Sequence, residues 1–346
     1  MIRRSVNCIA LITVLMGAAV VQPQLEARSS TTTEAREGRP TAHERFPSDI
    51  QIHEAVEIPV MWREPADLET RDLFFGIGGE KGAPNLADRF RFLHKVTSGK
   101  QEKIQVEDSN NRSWTVKFGD EPRPETVASR IVWAVGYHTD QDYFVEQANI
   151  EGHGPVRDVR FERDNDGYKK VGRWDWNKNP FTGSREFDGL KVLMALVNNF
   201  DLKTENNKIV SPKKKKTGGP GEPDIHIYYV SDLGATFGST GKWFGGLPLF
   251  GELPAGTKGT ARDFSEQAFI SGVNRGIVTF RMKRTRAQRA IDGVRVENAR
   301  WVGNLLGRLS DRQLGDAFRA GHYSEQDTQL YIQSLRRRIN ELQALR

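Results

Sequence analysis

Apolar and polar side chains alternate from Phe90 to Phe118. Phe92-Leu93-His94-Lys95-Val96, Ile104-Gln105-Val106 and Trp114-Thr115-Val116-Lys117-Phe118 are separated by turn-forming Ser98-Gly99-Lys100 and Asp108-Ser109-Asn110-Asn111. Period-two alternation around such turns predicts a three-stranded antiparallel meander. The period then lengthens. Between Glu125 and Val135, Val127, Ala128, Ile131, Val132 and Val135 share one face, which predicts a helix opened beside Pro122 and Pro124 and stopped by Gly136. Tyr143-Phe144-Val145 and Val159-Arg160-Phe161-Glu162 return to strand character. Leu190 to Val197 is apolar nearly all round and predicts a buried helix. Tyr228-Tyr229-Val230 reads as a strand, and the chain beyond it as helical. Phe264 to Phe280 and the basic Met282 to Arg289 are taken into that helical part. Ser310-Asp311-Arg312-Gln313 and Ser324-Glu325-Gln326-Asp327 look like helix starts, and Leu330, Ile332, Leu335, Ile339 and Leu342 line the last helix. The fold class is α+β.

The segments around these elements set the boundaries. Arg3 and Arg4, the apolar run Cys8 to Val21 and Leu25-Glu26-Ala27 form a signal-peptide pattern, so residues 1–27 are expected to be cleaved. The run is short for a membrane span, and no span is expected after cleavage. Residues 28–47 are rich in Ser, Thr, Glu, Arg and Gly and predict a disordered tether. Residues 48–172 would form an N-terminal extension and a strand-rich unit, with Ile50 to Arg71 as an extended arm. Residues 173–346 would form a mainly helical unit. Phe75-Gly76-Ile77-Gly78-Gly79 is expected to be a mobile surface loop, and Lys213-Lys214-Lys215-Lys216 a hairpin tip.

Composition narrows the class. The 346 residues are 37% hydrophobic and 28% charged, which gives ample length for a core. The net charge of +6 would fall to +5 with loss of Arg3, Arg4 and Glu26, weak support for a nucleic-acid partner, and none is expected. Cys8, the one cysteine, precedes the apolar run, so a mature chain would owe nothing to disulfides or thiolate metal sites. The seven histidines lack zinc-ligand spacing.

Candidate chemistry gathers between Leu190 and Gly238. The buried helix ends in Asn198-Asn199-Phe200-Asp201-Leu202-Lys203-Thr204-Glu205-Asn206, and the later strand ends in Ser231-Asp232-Leu233-Gly234. The plain reading is that these acids and amides cap turns. Phosphoryl transfer, however, needs a carboxylate near the acceptor hydroxyl, plus a carboxylate and an amide oxygen for the metal. Asp201 and Asn206 stand in the D-x-x-x-x-N relation of a kinase catalytic loop, and Asp232-Leu233-Gly234 resembles D-F-G. Lys117 ends a strand, and Glu125 lies in the first turn of a helix, where the dipole favours it in any case. Lys117 could equally be an exposed strand lysine. The short interval between the two resembles the HipA-like, phosphatidylinositol-kinase-like and secretory-pathway kinase branch of the protein-kinase-like fold.

That resemblance implies a two-lobed molecule with an antiparallel-sheet small lobe and a mainly helical large lobe. It implies an ATP-dependent phosphotransferase using Mg²⁺ or Mn²⁺, secreted or periplasmic, acting on a protein, lipid or glycan hydroxyl. Asp201, with Lys203 beside it, would serve the acceptor, and Asn206 and Asp232 would hold the metal. Lys117, fixed by Glu125, would hold nucleotide phosphates under the Ser98-Gly99-Lys100 turn. Trp174 and Trp176 would either line an adenine slot or pack in the core. The sequence departs from the pattern in lacking an H-R-D motif, a full glycine-rich motif and the phenylalanine of D-F-G. The alternatives are an inactive nucleotide-binding pseudokinase scaffold and a basic secreted polyanion-binding protein.

Overall fold

The computed structural model describes residues 57–97, 99, 101–165, 167–213, 223–238, 243–244, 247–248, 261–282 and 285–346. The expected leader, the tether and Lys214 to Lys216 of the lysine run lie outside these residues, as do Ser98 and Lys100.

After β1 (Glu57–Val60) and the one-turn helix α1 (Gly79–Gly82), the predicted meander forms as β2 (Phe90–Val96), β3 (Lys103–Asp108) and β4 (Ser113–Lys117). Helix α2 (Pro122–Ala134) follows, then β5 (His138–Thr139), β6 (Asp142–Glu151) and β7 (Gly154–Arg163). The expected antiparallel strands form, and they close into a barrel in the order β2-β3-β4-β7-β6. Closure is a parallel pairing of Phe90 and Arg91 with Ile150 and Glu151. It removes the unpaired edges that an open sheet would leave. Phe90, Ile104, Val106, Trp114, Val116, Val159 and Phe161 fill the barrel. The residues between them on β3, β4 and β7, including Gln105, Thr115, Lys117, Arg160 and Glu162, therefore point outward.

The chain continues through β8 (Tyr168–Gly172), α3 (Arg185–Leu196), β9 (Asn207–Pro212) and β10 (Asp224–Val230). A second sheet runs β1-β10-β9-β8, with β5 also paired to β10. The arm thus contributes a strand, parallel to β10. Beyond the short pair β11 (Trp243–Phe244) and β12 (Leu247–Pro248) come α4 (Ala261–Ser265), β13 (Ile270–Asn274), β14 (Ile277–Phe280), α5 (Thr285–Ile291) and β15 (Val294–Arg295). The molecule ends in α6 (Val296–Gly307), α7 (Asp311–Ala320) and α8 (Glu325–Gln343).

The helical expectation for Phe264 to Phe280 is corrected, because Ile270 to Phe280 is a hairpin. Arg275 and Gly276 take φ of +49° and +77°, which turns the strands tightly. Val278 and Phe280 are buried with exposed Thr279 between them. The glycine cluster is also no loose loop. Gly76–Gly78 form a 3₁₀ turn leading into α1, and a Cβ at Gly78 would fall 2.0 Å from Gln141 Nε2 and 2.3 Å from the Tyr143 hydroxyl. Close approach explains Gly78, and left-handed backbone explains Gly76 and Gly79, at φ +71° and +59°.

Ser310 and Ser324 cap α7 and α8 through their side-chain oxygens. One large core joins α2, α3, α6, α7 and α8, with the buried Trp174 and Trp176 among its members. The two tryptophans are therefore core residues, and Trp174 Nε1 donates to the Tyr229 carbonyl at 2.8 Å.

Candidate functional site

Lys117 ends β4, and Gly119, at φ +100°, turns the chain into α2. The proline-rich start Pro122-Arg123-Pro124 fixes the first turn of α2, so Glu125 returns beneath the end of β4. Lys117 Nζ donates to Glu125 Oε2 at 3.0 Å and to Asp232 Oδ1 at 2.6 Å. Glu121, the residue before α2, adds an ion pair at 2.5 Å. Lys117 is 1% exposed and Glu125 wholly buried, so Lys117 is not a surface strand lysine.

Behind Glu125 stands Arg160, opposite Lys117 across the β4–β7 pairing. Its guanidinium holds Glu125 Oε1 and Glu162 and lies 3.4 Å from Asp142 Oδ1. Burial alone would depress the Lys117 ammonium, but Glu125, Asp232 and Glu121 outweigh it and hold it above its ordinary value. Burial pushes the Glu125 carboxyl up, against the pull of Arg160 and Lys117. At Asp232 burial is overcome by Lys117, and the carboxyl lies below its usual range.

The second group sits below the buried helix α3, whose N-terminus is capped by Ser184 Oγ accepting from Phe187 N. Just past the C-cap of the helix, Val197, Asn198 takes φ +55°. Asn199 Oδ1 then accepts from the Asp201 N–H at 3.0 Å and shapes the loop. Lys203 Nζ lies 2.5 Å from Asp201 Oδ2. Asn206 Nδ2 donates to the Asp201 carbonyl at 2.8 Å and to Oδ2 at 3.2 Å. Both bonds use the amide nitrogen, so the Asn206 amide oxygen is not spent on Asp201.

Backbone bonds tie the two groups together. The Ser231 N–H donates to the Asn206 carbonyl at 2.9 Å, setting Asp232 next to the loop. Asp232 takes φ +53°, and the segment beyond it returns to α3 through the Phe237 N–H donating to the Val197 carbonyl at 2.8 Å. Thr236 Oγ1 bridges the carbonyls of Leu233 and Pro124, anchoring Asp232-Leu233-Gly234 to the start of α2.

Of the residues singled out from sequence, Lys117, Glu125 and Asp232 touch one another, and Asp201, Lys203 and Asn206 touch one another. Gly99 is exposed at φ +93° and makes no contact with either group. Glu121, Arg160, Asp142 and Glu162 were not foreseen. Arg160 and Glu162 share a strand face with period two, but nothing local says that this face meets Lys117.

Glu121, Glu125 and Asp232 each bring a carboxylate oxygen within 4.8 Å of the others. Oxygen donors of this kind suit hard cations such as Mg²⁺ or Mn²⁺. Both Glu125 oxygens are taken by Lys117 and Arg160, so Asp232 is the better-placed carboxylate, and the residue before it is bonded to the Asn206 backbone. A cavity of about 520 Å³, walled by Asp140, Glu162, Tyr168, Lys208 and Tyr229 among others, is lined by none of Lys117, Glu125, Asp232, Asp201 or Asn206 and meets the Arg160 ion pairs only at Glu162. Lys208 binds Asp140 and lies 3.6 Å from Glu162, so the cavity wall continues the charge network of Arg160.

No protein-family model matches the chain, and no curated protein sequence matches it. Among solved structures it is similar to a proinflammatory kinase of Helicobacter pylori, CtkA, at 12% identity and a TM-score of 0.45. That match covers 72% of this chain and 92% of the other.

Proposed function

We propose that the chain is an atypical kinase, a two-lobed phosphotransferase using ATP with Mg²⁺ or Mn²⁺ and acting on a protein, lipid or glycan hydroxyl. One observation carries the reading. Lys117, Glu125 and Asp232 come from a strand, a helix and a distant loop, and they meet in a buried ion-paired cluster beside Asp201 and Asn206. Nucleotide phosphates need a held cation and a divalent metal needs carboxylate and amide oxygens, and these residues bring both kinds of group to one place.

Lys117 would hold the phosphates, and Glu125, backed by Arg160, would keep it in place. Asp232 and Asn206 would bind the cation. Asp201 would take the acceptor's proton, with Lys203 balancing its charge. Bound here, the metal–nucleotide pair supplies the transferable phosphoryl group and the charge neutralisation that transfer needs. Action outside the cytoplasm belongs to the proposal through the leader-like residues 1–27. The second reading, a pseudokinase scaffold, is favoured by Lys117 already being engaged by three carboxylates.

A radiolabelled transfer assay beside a thermal-shift titration with Mg²⁺–ATP tests the proposal. Asp201→Asn should bind nucleotide as wild type does and lose transfer by roughly a hundred- to ten-thousand-fold, the worth of a positioned general base. Asp232→Ala should lose metal-dependent binding. A wild type that neither binds nor transfers overturns the reading. Binding without transfer to any acceptor favours the scaffold.

A further inference from the structure

An ammonium carries three protons, and Lys117 meets three carboxylates within 3.0 Å. A phosphate oxygen cannot join them without displacing one. The three are not held alike. Glu125 is wholly buried and its other oxygen is bound by Arg160. Asp232 follows a residue locked to Asn206 and precedes a segment anchored by Thr236. Glu121 lies outside α2, and among the described residues its carboxylate pairs with Lys117 alone. Its side chain is 23% exposed, against 39% for Asp232, so what sets Glu121 apart is its weaker anchoring and not its exposure. Its seat is also shaped for it. The Gly234 backbone comes so close that a Cβ there would lie 2.5 Å from Glu121 Cβ and 2.9 Å from its Cγ.

We infer that Glu121 is a stand-in for phosphate: it occupies the place on Lys117 that a nucleotide phosphate takes, and it must swing out for the nucleotide to bind. Glu121 is then a positioning residue acting through Lys117, and it sets nucleotide affinity from the outside of the clamp. This rests on the phosphotransferase reading for the identity of the ligand. Its sign is unusual, because removing a charged residue of the cluster should improve binding. Glu125 and Lys117 variants should do the reverse.

Calorimetric titration of the full chain with two probes, Mg²⁺–ATP and inorganic tripolyphosphate, tests it on wild type, Glu121→Gln, Lys117→Met and the double variant. Glu121→Gln should bind both probes about five-fold more tightly, the worth of one partly exposed ion pair. The gain should vanish in the Lys117→Met background, which a general effect on folding or on surface charge would not produce. Equal or weaker binding by Glu121→Gln, with wild type binding normally, overturns this inference and leaves the phosphotransferase reading standing. A gain that survives without Lys117 also overturns it. Failure of every protein to bind either probe overturns both.

Discussion

Burying an ammonium costs several kcal/mol unless opposite charges meet it, and at Lys117 they come from the N-terminal end of α2 and from beyond β10. The cluster should therefore behave as one unit. Lys117→Ala leaves Glu121, Glu125 and Asp232 facing one another, and Glu125→Ala leaves Lys117 and Arg160 without their shared carboxylate. Each change should cost about 3–5 kcal/mol of stability, and the double variant much less than the sum. Urea denaturation around the cycle reads this directly. Additive costs would mean that the residues are independent. Sequence singled out Lys117, Glu125, Asp232, Asp201, Lys203 and Asn206, because each ends an element or follows one at a readable spacing. Glu121 and Arg160 stayed hidden, because their importance lies in a third dimension. Arg160 is 43 residues from Lys117 in sequence and opposite it only through the β4–β7 register.

Helix α2 connects the barrel to the helical core, and its two ends decide how well it does so. The N-terminal end, from Gly119 through Pro124, aims Glu121 and Glu125 at Lys117. At the C-terminal end Gly136 takes φ +101° and gives its N–H to the Trp133 carbonyl, while its own carbonyl accepts from the Arg63 N–H. A Cβ at this position would lie 2.2 Å from the Arg63 carbonyl oxygen and 2.6 Å from Trp62 Nε1. Gly136→Ala should therefore destabilise the protein by at least about 2 kcal/mol, through a forbidden φ and a backbone clash together. A thermal midpoint within two degrees of wild type would show that the β1 arm yields easily. The helix and its glycine stop were legible from periodicity. The barrel closure was not, since residues 90 and 150 meet by a parallel pairing that no local pattern encodes. The β13–β14 hairpin was missed because an apolar run of that length fits a helix as well as two short strands.

Across the whole molecule, acid should act on several buried groups with opposing signs. Burial holds Asp140, Asp142 and Glu125 above their ordinary values. Carboxyls raised on folding bind protons first in the native state, so acidification favours folding at those sites. His138 works the other way. It sits on β5, paired to β10 and beside the Tyr229 ring, and its Nε2 has no hydrogen-bond partner among the described residues. Burial, with a smaller push from Arg63, lowers it from 6.5 to about 4. Between those values the unfolded chain takes up a proton that the folded chain refuses. Its contribution is therefore full above pH 6.5, declines as pH falls, and is spent by about pH 4. One proton corresponds to about 1.4 kcal/mol per pH unit, so the whole window is worth on the order of 3 kcal/mol. The carboxyl contributions are common to wild type and a His138→Gln variant, so the difference between their stability–pH curves isolates the histidine. Wild type should lose ground to the variant progressively from pH 6.5 to 4, with no change in the difference above pH 7. Parallel curves through that window would mean that His138 is protonated in the folded protein and finds a partner there.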